Sequence, residues 1–400
     1  MIMKNLKEYI IEGVFDTDED TIDENIKDQI KQFLKENFKG YSKCKISRKP
    51  NADGKYEVSS TGNVTVENDK ITSLINGLFI WVKVRGNFSC YECTSLTSLE
   101  DAPKEVGGNF NCGHCASLTS LEGAPEKVGE NFNCWNCKSL TSLEGAPKEV
   151  GGWFDCSYCR SLTSLKGAPK KVGGEFNCDS CKSLTSLEGA PEKIGEGFRC
   201  HNCKSLISLE GVPKEISGNF ICGCCDSLKS LEGAPKKVGG DFSCNECKSL
   251  TSLEGAPEEV SGEFHCGWCE SLTSLEGAPE KIGEDFSCWG CKLLTSLEGA
   301  PEKVGGEFNC NNCDSLTSLE GAPKKVGKGF SCCGCKSLTS LEGAPEEVSW
   351  PFDCRNCRSL TSLKGAPKKV GGGFYCMNCG TQFSKEDVKK VSNVGGKIYV

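Results

Sequence analysis

Twenty-eight of the 31 cysteines stand in fourteen Cys-x-x-Cys pairs, repeated at a constant step of 22 residues from Cys90/Cys93 to Cys376/Cys379. Thiols at this spacing can hold a metal, cross-link, attack an electrophile or fill a core. The run C-x2-C-x18-C-x2-C lies within the spacing range of four-thiolate zinc sites, and joining adjacent pairs would make seven of them. Each pair, however, sits identically between two neighbours, so nothing selects a partner. Disulfides between strands stacked about 4.8 Å apart are sterically permissible but need an oxidising compartment. The opening MIMKNLKEYIIEG lacks the uninterrupted apolar stretch of a secretory signal, so a cytoplasmic, non-secreted protein is expected. Nucleophilic catalysis would require an orienting third group that Cys112/His114 and Cys200/His201 do not have, and an active site is not built fourteen times over. The expectation is therefore no enzyme, no catalytic residue, no metal ligand and no cofactor, with zinc as the alternative. The paired thiols act as small hydrophobes in two inward columns.

A repeating frame positions them: F-x-C-x-x-C-x-S-L-x-S-L-x-G-A-P-x-x-V, exemplified by Phe110, Cys112, Cys115, Leu118, Leu121 and Val128 as structural core. A strict period without insertions requires each unit to stack on the next in register, which is a solenoid. In Phe132-Asn133-Cys134-Trp135 the alternation predicts a short strand with Phe and Cys inward. The return path SLTSLEGAPEKVGE holds a Pro and two Gly, so turns and extended segments are expected there rather than helix. The predicted fold is mainly β, a right-handed solenoid of fourteen coils.

The ends depart from the frame. Residues 63–84 (Val64, Val66, Asp69, Ile71) read as a degenerate first coil, and 85–380 as the repeat solenoid. Residues 14–62 form a small α/β N-terminal cap. In it Ile22, Ile26, Ile30, Phe33, Leu34 and Phe38 share one helical face closed by Gly40, and KCKIS and KYEVS flank a PNADG turn. Residues 381–400 form a C-terminal cap, a short helix opened by Ser384 with Asp387 and a last strand KIYV.

The stretch from Phe132 to Cys137 resembles the leucine-rich repeat, with Phe132 in the fourth place of its consensus, Cys134 in the sixth and Cys137 in the ninth. The next Leu falls three residues later rather than two, which resembles the cysteine-type variant. The wording LTSLEGAPKEVGGNF is similar to repeat proteins encoded by tailed bacteriophages and gut bacteria. MKNLKEYIIEG is similar to the targeting leaders of phage internal head proteins, cut after Leu/Ile-x-Glu. That resemblance implies cleavage at Ile10-Ile11-Glu12 before Gly13, residues 1–13 as a leader, and a head protein packaged in the virion. The alternative is a small helix on the cap.

Three positions per coil vary: the one between Phe and the first Cys, and the two between the cysteines. They hold all three His, three of the six Trp and three of the seven Tyr. The predicted partner face, taken to be concave, comprises Tyr91, His114, Trp135, Tyr158, Arg199, His201, His265, Trp268, Trp289, Arg355 and Tyr375. Drift of exposed positions is the bland alternative, and the Lys/Glu loops after each Pro show what drift would look like. Exposed Trp and Tyr are instead enriched at interfaces, so a non-enzymatic scaffold binding a macromolecule, a protein by preference, is expected. A net charge of −8 without a basic stripe argues against nucleic acid, and no apolar run is long enough for a membrane span. A monomer is expected, in which Cys224 and Cys333 react first.

Overall fold

The computed structural model describes residues 19–400. The leader expectation at Ile10, Glu12 and Gly13 lies outside the described residues. Helix α1 (Glu19–Asn37) buries Ile30 and Leu34, with Ile26 and Phe33 packed partly against the core. Phe38 lies past the helix end. It opens strand β1 (Phe38–Lys39), antiparallel to β4 (Val64–Val66), and Gly40 takes a φ of 86° where the chain turns. The hairpin forms as read: β2 (Cys44–Ile46) pairs antiparallel with β3 (Tyr56–Ser60), and Asn51 Oδ1 accepts the Asp53 and Lys55 amides in the turn.

The rest is one stack. Sixteen parallel rungs run from β4 through the fourteen Phe-x strands (Phe88–Ser89 to Phe374–Tyr375) to Ile398–Tyr399. The two terminal rungs, Val64 on Phe88 and Ile398 on Phe374, are offset by 24 residues, whereas the fourteen between them step by 22. The fourteen coils therefore gain one rung at each end, and the C-terminal one accommodates α2 (Lys385–Val391), which buries Val388.

The return path contains more than turns. Two-residue strands at Lys-Val or Glu-Val form a second parallel ladder, for example Lys171↔Lys193 with Val172↔Ile194, beginning upstream at β3 and β5 (Phe79–Val84). Periodicity could not reveal a strand this short, two residues after a proline. Its charged registers alternate: in seven of nine, Lys faces Glu on the next coil, as in Glu105↔Lys127 and Lys237↔Glu259. An in-register repeat would otherwise stack like on like, so the Lys/Glu exchanges are not drift. They pair adjacent coils, with Lys236 Nζ 2.6 Å from Glu258 and Lys83 Nζ 2.7 Å from Glu105. Each pair is exposed and screened by solvent, so it guides register more than it stabilises.

This ladder breaks once, between Ile194 and Ile216. The coil there carries Val212 where other coils carry Ala, and its Gly211 opens to a φ of 111° against 83–91° in the others. The gap thus falls beside the coil that carries these extra methyls. A Cβ at Gly123 would lie 2.0 Å from Glu100 Cα, which is why this corner requires glycine.

Inside, the Phe rings stack near-parallel and offset, with centroids 5.1–5.8 Å apart, from Phe88 to Phe352. Phe110, Cys112, Cys115, Leu118 and Leu121 are fully buried and Val128 nearly so.

Candidate functional site

The thiol columns have a structural role. From the second pair onward, the second Cys donates its S–H to the carbonyl of the first Cys one coil earlier, as Cys115 to Cys90 at 3.1 Å and Cys137 to Cys112 at 3.2 Å. Several first cysteines donate forward, as Cys178 does to the Arg199 carbonyl at 3.2 Å. Burial pushes Cys134, Cys156 and Cys178 well above the ordinary thiol range. Among the described residues no group of three or more His, Cys, Asp or Glu stands so as to hold a metal ion.

The variable positions lie along one edge of the stack. The residue after Phe points outward, and its Asn or Asp commonly accepts the amide two residues on, as Asn111 from Gly113 and Asp155 from Ser157, both at 2.9 Å. The two residues between the cysteines form the turn, not a continuation of the strand, although ladder bonds persist through it (His114 N to Trp135 O, 2.9 Å). The second turn residue has positive φ in all fourteen coils. Seven carry Asn or Gly there, which this conformation favours. Part of the variation is thus conformational. His114, Tyr158 and Trp268 occupy the same position at φ 57–60°.

The aromatic candidates gather in clusters. Tyr91, His114 and Trp135 are neighbours on three successive rungs, with centroids 5.2 Å (Tyr91–His114) and 4.2 Å (His114–Trp135) apart. Trp268 and Trp289 meet edge to face at 5.2 Å, with Lys292 over Trp268 at 5.7 Å. Tyr375 stacks on Tyr399, and Arg355 lies over Tyr375 at 5.1 Å while its guanidinium bonds Asp353. Glycine makes the seats: Trp135 lies over Gly113, Trp289 over Gly267 and His201 beside Gly223, so each coil with Gly at the first turn position adjoins one with a ring there. Arg199 is held by Asp179 (2.7 Å) near Glu175 (3.9 Å), and burial raises the Asp155 and Glu175 carboxyls above the usual range. His265 bonds Glu263 at 2.7 Å. Tyr158, although 46% exposed, joins none of these ring clusters.

Two features depart from the sequence reading. Two grooves, about 1530 Å³ from Ala278 to Ser349 and about 940 Å³ from Lys83 to Gly173, run along the Lys-Val ladder. There small Gly, Ala, Pro and Val side chains let the surface recede. The variable turns near His114 and Glu92 line a pocket of about 260 Å³. The most exposed tryptophans, Trp153 (57%) and Trp350 (62%), lie at or beside the position before Phe, outside the three variable positions, and were missed for that reason. Ile207 and Leu293 are exposed where other coils carry Thr or Lys and Ser.

No family model matches the chain, and no curated protein matches it. Among solved structures it is similar to a leucine-rich repeat protein from Bacteroides ovatus, at 16% identity and a TM-score of 0.32, over 82% of this chain and 92% of that one. Among the described residues no helix is long and apolar enough to cross a membrane.

Proposed function

We propose that the chain is a non-enzymatic recognition scaffold whose turn edge presents variable side chains to a macromolecular partner, a protein. One observation carries this reading: Trp268 and Tyr158 sit partly exposed in a left-handed conformation that Asn or Gly fills in half of the equivalent turns. Holding a bulky residue there costs roughly 1–2 kcal/mol, and exposing its ring adds nothing to the core. Rigid aromatic anchors of this type dominate protein interfaces. The test is the double variant Trp268→Asn/Trp289→Gly, residues that Asn136 and Gly113 show to be tolerated at these positions. Circular dichroism should be unchanged and the thermal midpoint no lower than wild type, while the partners retained from lysate by wild-type protein should be lost. An unchanged partner set would overturn the reading.

A further inference from the structure

The outward face of the rungs opened by Phe88, Phe110 and Phe132 differs from the rest of the edge. Nine positions point out there, those before Phe, after Phe and after the first Cys. All are uncharged: Asn, Ser, Asn and Tyr, Gly, Trp, with Asn predominant. On later rungs the same columns carry Glu175, Asp179 and Arg199, and then a run of four carboxylates from Asp241 to Glu307. In a chain with 26% charged residues, a neutral block of this size requires an account.

Its amides are oriented. Asn87 Oδ1 accepts the Asn109 amide at 2.9 Å, Asn109 Oδ1 that of Asn131 at 2.9 Å, and Asn131 Oδ1 that of Trp153 at 2.8 Å. Beside them, Asn111 and Asn133 Oδ1 accept the Gly113 and Trp135 amides, each at 2.9 Å. With every oxygen tied to backbone, each side-chain NH2 has a fixed direction, and those of Asn111, Asn131 and Asn133 have no acceptor among the described residues. The rings are equally fixed: Trp135 lies over Gly113, Trp153 at the margin of the block on the next rung lies over Gly174, and Tyr91 is within 26° of parallel to Trp135 at 6.4 Å.

We infer that this block is a binding site for a neutral saccharide chain. Flat rings with negative faces attract the polarised C–H groups on one side of a pyranose. Rows of oriented amide donors serve hydroxyl and ring oxygens. These nine positions carry no charge to attract a charged polymer, and the carboxylate beside them, Glu92 next to Tyr91, repels an anionic one. The site shares the turn edge but lies apart from Trp268 and Trp289, whose replacement tests the protein-partner proposal.

The test uses the full chain with hexasaccharides of glucose, N-acetylglucosamine, mannose and galactose as probes, read by calorimetry and tryptophan emission. At least one should bind saturably. Trp135→Ala/Trp153→Gly should weaken it ten-fold or more; Gly197 shows the second change to be tolerated. Asn111→Asp/Asn133→Asp keeps both turn bonds, as Asp155 and Asp353 do, yet removes the donors and adds charge, so it should abolish binding without moving the thermal midpoint. Trp268→Asn/Trp289→Gly should leave saccharide affinity unchanged, which separates a failure here from a failure of the protein-partner reading. No binding by any hexasaccharide at millimolar concentration, or binding that survives the asparagine variant, overturns the inference.

Discussion

At the scale of single residues, the backbone conformation of one turn position separates structural from functional choice. Tyr158→Asn should raise stability by about 1 kcal/mol, read as a higher urea midpoint at unchanged slope, because Asn suits a φ of 59° better than a bulky ring. A thiol behaves conversely. Cys137→Ala removes the donor to the Cys112 carbonyl and leaves a cavity, and should cost about 1–3 kcal/mol in chemical denaturation. Of the 31 thiols, 27 are buried, and a thiol reagent should therefore count no more than four in the folded protein, Cys44, Cys224, Cys333 and Cys379, and all 31 in denaturant. Burial, helped by Glu246, pushes Cys224 up to about 11, so its labelling should be slow at neutral pH and accelerate as pH rises towards that value. The inward thiols were legible in the sequence because a fourteen-fold column admits few roles. The positive φ was not, since Trp268 and Tyr158 hide a preference that only the Asn- and Gly-bearing turns display.

At the scale of elements, the caps and the Phe strands were legible and the second ladder was not. Ser384 and Asp387 form the reciprocal cap of α2: Ser384 Oγ accepts the Asp387 amide at 3.2 Å, and Asp387 Oδ2 accepts the Ser384 amide at 3.1 Å. The hydrogen bonds from Ser384, with Lys390 nearby, hold the Asp387 carboxyl at about 2, below its ordinary 3.8. A carboxylate depressed on folding stabilises fully above its unfolded value and ceases to as pH falls through its folded one. The C-terminal helix should therefore fray between about pH 4 and pH 2, with amide exchange at Val388 as the readout, and Ser384→Ala should cost about 1 kcal/mol at neutral pH. The hairpin and α1 followed from turn chemistry and a 3.6-residue period. The Lys-Val strands carry no alternation to detect, and their Lys/Glu exchanges acquire meaning only once coils are stacked 22 residues out of phase.

At the scale of the whole molecule, stability is a sum over neighbouring rungs. The weakest junction should be where the second ladder stops, between Ile194 and Ile216. Val212→Ala should close it, slowing hydrogen exchange at the Glu215 and Ser217 amides and raising the unfolding midpoint; no change in exchange would show that Val212 is not the cause. Phe242→Ala, in the middle of the ring stack, should cost about 3–5 kcal/mol.

The uniform interior has a cost in specificity. Sliding one block of coils past another by a whole rung would put Phe on Phe, Cys on Cys and Leu on Leu again, so the core cannot distinguish correct stacking from a one-rung slip. What distinguishes them lies outside: Lys opposite Glu on the second ladder, a ring over a glycine in the turns, and a 24-residue offset at each end. The surface serves as an address code, and a chain with every Lys and Glu of that ladder exchanged for Ser would retain its core while losing one of the three means by which it counts its own coils.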